Sequence, residues 1–581
     1  MTRRTGLSNG VLLVVVAVVL VLFTSASASA SVSQLYSFGW NEYGQLGTTT
    51  NNGNSSPNFD PELVMLPGAT GAPAQVSAAE GHTLVVTTSG QLYAFGENRR
   101  GELGVKTNVG TYNATPPTLV TLPGATGAVA DAAAGGSEGE GFSLAVTTSG
   151  QLYTFGVNGF GQLGYTTNSG TENPNSTPTQ VVLPGATGPV TQVAAGEKFS
   201  VALTSTGQVY EFGENYVGEL GSTTNNLTLK PNPTPAAVTI SGSTGPVTHV
   251  AAGAFFTLAS TSTGQLYGYG SNYWGQLGNA TNNKVTAANP TPVQISLPGA
   301  SGTVSGFAAG EEDSLVVTST GQLYSFGWNL AGELGNTTNL SDGEPNPVPT
   351  LVTLPGETGP VTEAAAGGEH SLAMTSTGQL YAFGQNELGQ LGNSTNVETQ
   401  EPNADPAPVT LPGPAATLSD GTGFDSFVIV ERAAKASCTG DAGSITLSPG
   451  LTATAAVQTV KIKGKLSGCT GEGFKSAKYS ATLKSSNALG CTVLHSPGEP
   501  VAGSAMYTWT PKAAPSAGTI ELSLTETAGV LLAGEVASGS YAPLTLSGTT
   551  TSTFAGAGTC GEAGSKPVKK AKSTGTAVSL F

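Results

Sequence analysis

Seven copies of one short phrase recur along this chain, and their regular spacing restricts the possible fold more than any other feature. The phrase reads Gln-Leu-Tyr-Ser-Phe-Gly at its first occurrence, and its copies begin at Gln34, Gln91, Gln151, Gln208, Gln265, Gln322 and Gln379. Each step is 57 residues except one of 60, which holds three extra residues within the stretch 135–141. A fixed period of this length is typical of solenoids, propellers and repeat arrays.

Each repeat has the pattern of four short β-strands. Residues 200–204 and 208–213 form a predicted hairpin with a Ser-Thr-Gly turn, and residues 292–297 and 189–194 exemplify the other two strands. The 81 glycines and 35 prolines supply the many turns that such short strands need. Seven units of four strands predict a closed seven-bladed β-propeller, which leaves only short strand edges exposed.

The two ends of the repeat region complement each other. The phrase at Gln34 has no hairpin partner before it, whereas residues 423–430 have the partner pattern with no phrase after them. The last strand is therefore predicted to complete the blade that the first strand begins. An open solenoid would need capping repeats, and the sequence contains none. We predict an all-β protein with a closed seven-bladed β-propeller over residues 31–431, followed by a small β-sandwich-like domain.

The repeat resembles that of the regulator of chromosome condensation repeat family, and in particular a secreted bacterial member. The resemblance rests on Phe-Gly-Gln-Asn-Glu-Leu-Gly-Gln-Leu-Gly at residues 383–392 and on Ala-Ala-Gly-Gly-Glu-His-Ser-Leu at 365–372. It covers residues 31–431 and all seven copies, and it implies a seven-bladed propeller. It implies much less about function, because sites are added to a fold by individual residues.

Residues 1–30 have the features of a secretory signal peptide. Arg3 and Arg4 precede an unbroken apolar run over residues 11–23, and an Ala-Ser repeat offers cleavage sites near Ala28 or Ala30. An uncleaved anchor is the alternative, but the run is short for a hydrocarbon core of about 30 Å. We therefore expect a mature protein that is secreted or associated with the cell envelope, with no transmembrane span after cleavage.

The periodicity stops at a predicted linker, residues 432–435, and a second domain is predicted over 436–581. Alternating polar and apolar residues favour half-buried strands, and the region resembles an uncharacterised domain of secreted bacterial proteins. All four cysteines lie here: Cys438, Cys469, Cys491 and Cys560. An even number in an exported domain predicts two disulfides with three possible pairings, of which the nested set (438–560 and 469–491) is slightly favoured. A four-thiolate metal site is the alternative, although no Cys-x-x-Cys pair occurs.

The repeated polar residues are interpreted as structural. An asparagine recurs two residues after a glycine in every repeat and is expected to hold a turn. An alternating Gln/Glu series is expected to form hydrogen bonds between blades: Gln45, Glu102, Gln162, Glu219, Gln276, Glu333 and Gln390. His82 and His370 share a repeat position with Phe and Asp residues, which indicates packing rather than metal binding.

Several classes of function are disfavoured by the sequence. It contains no nucleophile elbow, phosphate-binding loop or distinctive carboxylate pair, so we expect no catalytic residue, no metal and no cofactor. The net charge of −16 disfavours nucleic acid as a partner, because a binding face must neutralise phosphates. The acidic charge lies before residue 431, since residues 431–581 hold 13 Lys and Arg against 8 Asp and Glu.

The variable positions of the repeat are the candidate binding residues. They lie next to the repeated asparagine, at loop tips on a rigid frame, where recognition residues concentrate. Several are aromatic or arginine residues, the types that dominate binding energy. The predicted site consists of Trp40, Tyr43, Arg99, Arg100, Phe160, Tyr216, Tyr273, Trp274 and Trp328.

These observations favour an exported, non-catalytic binding or scaffold protein whose loop tips recognise an extracellular or envelope protein, or a surface glycan. The family resemblance implies two alternatives: activity like that of a guanine nucleotide exchange factor, and inhibition of an enzyme such as a β-lactamase by one propeller face. Export would separate the chain from nucleotide-loaded GTPases, which argues against exchange activity. An exported glycan lyase or hydrolase is a further alternative. The sequence leaves the partner, the binding face and the oligomeric state open.

Overall fold

The computed structural model describes residues 31–421 and 423–433, and the backbone of eight further strands between Ala436 and Leu580. Side chains are described over residues 33–419 and 423–432, and at Lys461. The predicted signal peptide and residues 434–435 of the predicted linker lie outside the described residues. Within the described part, no helix has the length and apolar character needed to cross a membrane.

The first 29 strands belong to the propeller. They are β1 (Ser31–Gly39), β2 (Asn58–Leu63), β3 (Pro73–Ala78), β4 (His82–Thr87), β5 (Leu92–Gly96), β6 (Thr115–Val120), β7 (Val129–Gly135), β8 (Phe142–Thr147), β9 (Leu152–Gly156), β10 (Asn175–Val181), β11 (Val190–Ala195), β12 (Phe199–Thr204), β13 (Val209–Gly213), β14 (Asn232–Ala237), β15 (Val247–Ala252), β16 (Phe256–Thr261), β17 (Leu266–Gly270), β18 (Val293–Ile295), β19 (Val304–Ala309), β20 (Asp313–Thr318), β21 (Leu323–Gly327), β22 (Asn346–Val352), β23 (Val361–Ala366), β24 (His370–Thr375), β25 (Leu380–Gly384), β26 (Asn403–Pro408), β27 (Ala415–Leu418), β28 (Asp420–Gly421) and β29 (Asp425–Ala433).

Seven four-stranded antiparallel blades form the ring, as the sequence predicted. Blades 1 to 6 each use four consecutive strands, from β3–β6 in blade 1 to β23–β26 in blade 6. Blade 7 joins the two ends of the repeat region, with the strand order β27, β29, β1, β2. Strand β1 pairs with β29 from Ser31 opposite Ala433 to Gly39 opposite Asp425. The predicted closure is therefore confirmed, and β28 adds a short parallel pairing to β3 of blade 1.

The hydrophobic core lies between blades. Phe155 of blade 2 packs in one cluster with Leu84, Leu92 and Leu103 of blade 1, so the repeated Phe-Gly phrase of one blade fills the core of the blade before it. The repeated glycines make room for this contact. Gly47 has φ +69°, and a Cβ there would lie 2.9 Å from Phe95 Cε2. Because each core needs two blades, burial of apolar surface favours the closed ring.

The innermost strands surround a narrow axial channel of about 210 Å³. Side chains near one end of these strands cross to the next blade. Gln75 Nε2 donates to the Ala132 carbonyl (2.9 Å), and Asp131 Oδ2 accepts from the Val193 N–H (2.8 Å). These bonds satisfy backbone groups that the strand pairing leaves free, and they join blades 1, 2 and 3.

The remaining strands form the C-terminal domain. They are β30 (Ala436–Leu451), β31 (Ala456–Gly471), β32 (Ser476–Leu489), β33 (Val501–Thr510), β34 (Ser516–Leu524), β35 (Gly529–Ser538), β36 (Leu544–Phe554) and β37 (Val568–Leu580). They pair in sequence order, and β37 also pairs with β30. The domain is β-rich as predicted. Its arrangement differs from the expected sandwich, because the last strand returns to the first and one closed sheet forms without free edges.

The cysteine predictions concern this second domain. The β30–β31 register places the backbone of Cys438 opposite that of Cys469. Cys491 and Cys560 lie outside the described residues. The two disulfides, their pairing and the four-thiolate alternative therefore stay predictions.

Candidate binding face

One face of the propeller collects two connections from each blade. In blade 3, residues 196–198 join β11 to β12, and residues 214–231 join β13 to β14 at the same end of the strands. We call this end of the ring the tip face, because it carries the variable tip residues. Strand β29 runs from Asp425 at the tip face to Ala433 at the opposite face, where it pairs with Ser31. The chain therefore enters and leaves the propeller away from the tips.

A buried asparagine holds each tip loop in shape. In blade 4, Asn272 Oδ1 accepts a hydrogen bond from the Leu277 N–H (2.9 Å). Its Nδ2 donates to the carbonyls of Asn279 (2.9 Å) and Thr281 (2.6 Å). The same acceptor bond recurs at Asn41, Asn98, Asn158, Asn215, Asn329 and Asn386. The structural role predicted for these residues is confirmed.

Further asparagines tie the tip loops of six blades to a neighbouring blade. In blade 3, Asn225 has φ 58° and donates to Asn232 Oδ1 (2.8 Å). Asn232 Nδ2 donates to the Gly213 carbonyl (2.8 Å), and its backbone N–H donates to the Phe160 carbonyl at the tip of blade 2 (2.9 Å). The equivalent bond between blades recurs at Asn58, Asn175, Asn289, Asn346 and Asn403. The tips are therefore rigidly positioned relative to one another.

The Gln/Glu series forms the predicted bonds between blades through its backbone, because the carbonyl of each of the seven residues accepts a hydrogen bond from a Ser or Thr hydroxyl of the next blade. The side chains serve mainly their own loops. The carboxylate of Glu219 accepts from the N–H groups of Tyr216 (3.0 Å) and Val217 (2.8 Å). Gln276 Oε1 likewise accepts from the Trp274 N–H (2.9 Å). The loop folds back on itself after the tip, so the nearest unpaired donors are those of its own turn. The Gln45 side chain also bonds to the next blade, because its Nε2 donates a hydrogen bond to the Glu80 carbonyl of blade 1 (3.1 Å).

Seven of the nine predicted site residues form two clusters. The first lies on blades 7 and 1 and contains Trp40, Tyr43 and Arg99. The Trp40 and Tyr43 rings meet edge to face at 5.4 Å, and Tyr43 also approaches Tyr112 at 6.4 Å. Arg99 lies over the Tyr112 ring at 4.6 Å. Tyr112, which the sequence reasoning missed, is 56% exposed, whereas Tyr43 is buried and donates to Glu138 Oε1 (2.5 Å).

Arg100 acts inside the protein rather than at its surface. Its Nε donates to the Gly139 carbonyl (2.9 Å), and its guanidinium pairs with the Glu172 carboxylate. Gly139 belongs to the three-residue insertion in blade 2, and its N–H donates to Glu97 Oε2 (2.9 Å). Arg100 therefore holds this inserted turn in place.

The second cluster lies on blades 3, 4 and 5 and consists of Tyr216, Tyr273, Trp274 and Trp328. Tyr273 meets Trp274 edge to face at 4.8 Å, and Trp274 stacks on Trp328 at 5.2 Å with 9° between the planes. All four side chains are half-buried. Phe160 of blade 2 lies nearby in the ring order, with the Lys198 ammonium 5.4 Å from its ring.

A groove of about 300 Å³ separates the tips of blades 3 and 4. We call it the blade 3–4 groove. Its apolar lining includes Tyr216, Leu229, Phe255, Tyr273 and Val285, and its charged lining includes Lys198, Glu214 and Glu312. Leu229 is 67% exposed and Val285 is 51% exposed. The groove therefore offers aliphatic surface to a partner beside carboxylates.

Sequence reasoning found the tyrosines of this groove and missed its other residues. Lys198, Phe255 and Glu312 share one repeat position, in the turn between the two innermost strands. The residue at that position changes from basic to aromatic to acidic around the ring. This variability could have identified the position as a candidate for binding. Leu229 and Val285 lie in the second half of the long loop, where the repeat pattern is weakest.

Carboxylates converge at the tip-face end of the axial channel. Burial raises the pKa of Glu311 to about 8, with further contributions from the charges of Glu312, Glu80, Glu369 and Glu197. These residues come from blades 1, 3, 5 and 6, and each follows the innermost strand of its blade at the tip-face end. Burial and Glu369 likewise raise the pKa of Glu312 to about 7, against a hydrogen bond from Trp274. The tip face thus carries a surplus of acidic groups, and its most crowded carboxyls hold their protons up to about neutral pH.

No metal centre is formed by the side chains that the structure describes, because no three His, Cys, Asp or Glu residues come together to hold an ion. The repeated carboxylates of Glu219 and Glu333 are occupied by loop N–H groups. The tip face is therefore described best as a surface of aromatic, aliphatic and acidic side chains on a fixed frame.

Comparison with known proteins agrees with this architecture. Residues 29–429 match the RCC1-like domain. The chain belongs to the RCC1-like domain family. This match ends within β29, the last strand of the propeller, and stops before the C-terminal domain.

The RCC1-like region is similar to several curated proteins. It is 27% identical over 372 residues to human E3 ubiquitin-protein ligase HERC2, an alignment that covers 64% of this chain and 7% of HERC2. It is 30% identical over 262 residues to the ultraviolet-B receptor UVR8 of Arabidopsis thaliana, covering 45% of this chain and 55% of UVR8. It is 27% identical to the regulator of chromosome condensation of Xenopus laevis, covering 64% of this chain and 83% of that protein.

Solved structures show the same fold. Human WBSCR16 matches with a TM-score of 0.59 and 22% identity, covering 69% of this RCC1-like chain and all of that one. Prp20p of Saccharomyces cerevisiae matches with a TM-score of 0.58 and 21% identity, covering 69% of this chain and 92% of that one.

Proposed function

We propose that this RCC1-like protein is an exported, non-catalytic binding protein that recognises an extracellular or envelope protein through the tip face of blades 3 to 5. The observation that carries the proposal is the concentration of exposed apolar side chains on neighbouring tips. Leu227, Leu229, Val285 and Leu330 are all more than a third exposed there, beside the second aromatic cluster. Exposed apolar side chains grouped on neighbouring loops in this way are typical of interaction sites.

The rigidity of the tips supports recognition rather than catalysis by this face. Buried asparagines and the Gln/Glu series satisfy the loop backbones, so little conformational entropy would be lost when a partner binds. Tyrosine and tryptophan anchors on such a frame are typical centres of binding energy. The aliphatic side chains favour a protein over a surface glycan, which offers mainly hydroxyl groups.

Related propellers provide limited support. Prp20p binds Gsp1p and histones, and yeast RCC1 has been solved in a complex with Kap60. At 21–22% identity these proteins support the fold alone, and their partners are not transferred to this chain. The export component of the proposal rests on the sequence features of residues 1–30.

The proposal is tested by affinity capture with the full mature chain from culture fluid and from envelope extract, followed by mass spectrometry. We expect a stoichiometric partner that the Tyr216→Ala/Tyr273→Ala variant captures roughly tenfold less well, because aromatic anchors often contribute more than 1 kcal/mol each. The matched control is Tyr112→Ala, which removes an exposed tyrosine from the first cluster. Equal capture by all three proteins would contradict the proposed site.

A further inference from the structure

The charge and shape of the blade 3–4 groove indicate what kind of partner segment it fits. We propose that the groove binds a short peptide segment in which a Lys or Arg side chain lies next to a large apolar side chain. This inference rests on the proposed function and adds the chemistry of the partner. It concerns described residues alone.

The apolar half of the groove is incomplete in the isolated protein. Phe255 and the two tyrosines form its aromatic lining, and Leu229 and Val285 extend from the long loops of blades 3 and 4 with most or half of their surface in water. Covering such side chains is favourable by about 25 cal/mol for each Å² of apolar surface removed from water. An aliphatic or aromatic side chain of a partner would cover both.

The acidic half of the groove holds one cation, and its charge is shared between Glu197 and Glu214. Lys198 is the one basic residue among the described residues that line the groove, and its ammonium already lies 3.3 Å from Glu197. Glu214 and Glu312 line the same groove, and burial raises the pKa of each. Beyond them lie the carboxylates at the channel mouth. A cationic group of a partner placed beside Glu214 and Glu312 would favour the charged form of both carboxyls and pair with them.

The size of the groove favours side chains over a complete small ligand. Its volume of about 300 Å³ is at the lower limit of sites that enclose small molecules. Lys and Arg have long aliphatic stems with a charge at the end, so they can lie along apolar surface while reaching a carboxylate. A neighbouring Leu, Ile, Met or Phe side chain would then contact Leu229 and Val285.

A displayed library of random heptapeptides, selected on the full mature chain, tests this inference without prior choice of a sequence. We expect enrichment of peptides in which Lys or Arg lies within two residues of a large apolar residue. The best peptide is then titrated against protein variants. We expect roughly tenfold weaker binding to Glu214→Gln/Glu312→Gln and to Leu229→Ser/Val285→Ser, and weaker binding in 500 mM than in 50 mM salt because charges are screened.

Two matched controls separate the groove from general surface effects. Val182→Ser removes an aliphatic side chain that is 76% exposed on blade 2, and Glu357→Gln removes a carboxylate from a turn on the opposite face. Both should bind the peptide like the unaltered protein. Circular dichroism of each variant checks that the propeller is folded.

Several results would overturn the inference. These are the absence of enriched peptides, enrichment of peptides without a basic residue, and binding that depends on charge but is unchanged in Leu229→Ser/Val285→Ser. If the natural partner is lost in Tyr216→Ala/Tyr273→Ala and fully kept in both groove variants, the proposed function stands and this inference fails.

Discussion

At the scale of single residues, one repeat position shows how the ring tolerates different chemistry in the same place. Its seven side chains are buried between blades: His82, Phe142, Phe199, Phe256, Asp313, His370 and Asp425. The packing role predicted for this position is confirmed. The histidines find polar partners in the next blade, since His82 Nε2 lies 2.9 Å from Ser143 Oγ and His370 Nε2 lies 2.7 Å from Ser426 Oγ.

The aspartates at this position are less well matched to their surroundings. Asp313 Oδ2 and both carboxyl oxygens of Asp425 are buried without a hydrogen-bond partner among the described groups. Burial raises the pKa of both carboxyls well above the usual range, whereas burial lowers the pKa of His82 to about 3 and of His370 to about 4. The two histidines are therefore expected to be neutral at pH 7, and the two aspartates to keep their protons to a higher pH than exposed aspartates do.

These shifts give the stability of the propeller a defined pH dependence. A carboxyl whose pKa is raised by folding stabilises the fold fully below the unfolded value of about 3.9, and this contribution is lost as the pH rises through the folded pKa. The histidines act in the opposite direction. Their contribution is present above about pH 6.5 and is lost as the pH falls through their lowered pKa values.

Replacing one aspartate with a side chain that does not ionise should flatten the alkaline part of this profile. We expect Asp313→Asn to raise the free energy of unfolding by roughly 1–3 kcal/mol at pH 8. At that pH the buried aspartate must either keep its proton or lie charged in the core, and asparagine avoids both costs. The difference should shrink near pH 4. Denaturant unfolding at both pH values measures it, with the exposed Asp60→Asn as the control. A difference that is the same at both pH values would contradict this account.

At the scale of elements, each tip loop has a constant backbone frame, which is the first half of the loop folded around its buried asparagine. Each frame uses one amide side chain to satisfy an N–H and two carbonyls of its own loop, and the first loop half is nearly the same in every blade. The side chains that differ are carried on this constant backbone. A change in the frame of one blade should therefore affect recognition only if that blade carries the site.

Two equivalent asparagines allow this idea to be tested. Asn272→Ala in blade 4 and Asn98→Ala in blade 1 each leave a buried N–H and two carbonyls without partners, and each should lower the free energy of unfolding by roughly 2–4 kcal/mol. Only Asn272→Ala should also weaken capture of the partner, because its loop carries Tyr273 and Val285. Thermal unfolding and quantitative capture measure the two effects. Equal loss of capture in both variants would count against a site on blades 3 to 5.

At the scale of the whole molecule, closure of the ring depends on pairing between segments almost 400 residues apart. Strand β29 lies between β1 and β27 in blade 7. Without it, blade 7 would lose its second strand and two unpaired strand edges would be exposed. The chain also leaves the propeller on the face opposite the tips, so the C-terminal domain is attached away from the proposed site.

Truncation on either side of β29 should show the importance of this pairing. A mature chain that ends after Ala433 is expected to keep a cooperative thermal transition. A chain that ends after Gly423 is expected to lose it, because the core between blades 6, 7 and 1 cannot form. Far-ultraviolet circular dichroism and size-exclusion chromatography make the comparison. Indistinguishable melting of the two proteins would argue against closure through β29.

Export makes a separate prediction about the start of the mature chain. The pairing of blade 7 begins at Ser31, directly after the predicted cleavage region. Cleavage after Ala28 or Ala30 would therefore remove the apolar segment and leave β1 complete. Mass spectrometry of the protein from culture fluid or the cell envelope should find Ser29 or Ser31 at the N-terminus. An intact Met1, or cleavage beyond Ser33, would contradict the predicted processing.

The sequence by itself determined the number of blades, their four-strand composition and their closure. These features depend on local patterns repeated seven times, namely alternation in strands, glycine at tight turns and an asparagine at each loop. Each pattern restricts its own segment, and the constant period then specifies how equivalent segments pack. The roles of Asn272 and of the position shared by His82 and Asp313 could be read in this way.

The tertiary structure decided which tip residues lie together. Tyr43 and Arg100 occupy tip positions in the sequence as Tyr273 does, yet their side chains contact an inserted turn within the protein. Leu229, Phe255 and Glu312 come from different parts of the repeat and still line one groove. Contacts between loops depend on where each long loop folds back and on the spacing between neighbouring blades, and a repeat pattern carries no information about side chains that differ from copy to copy.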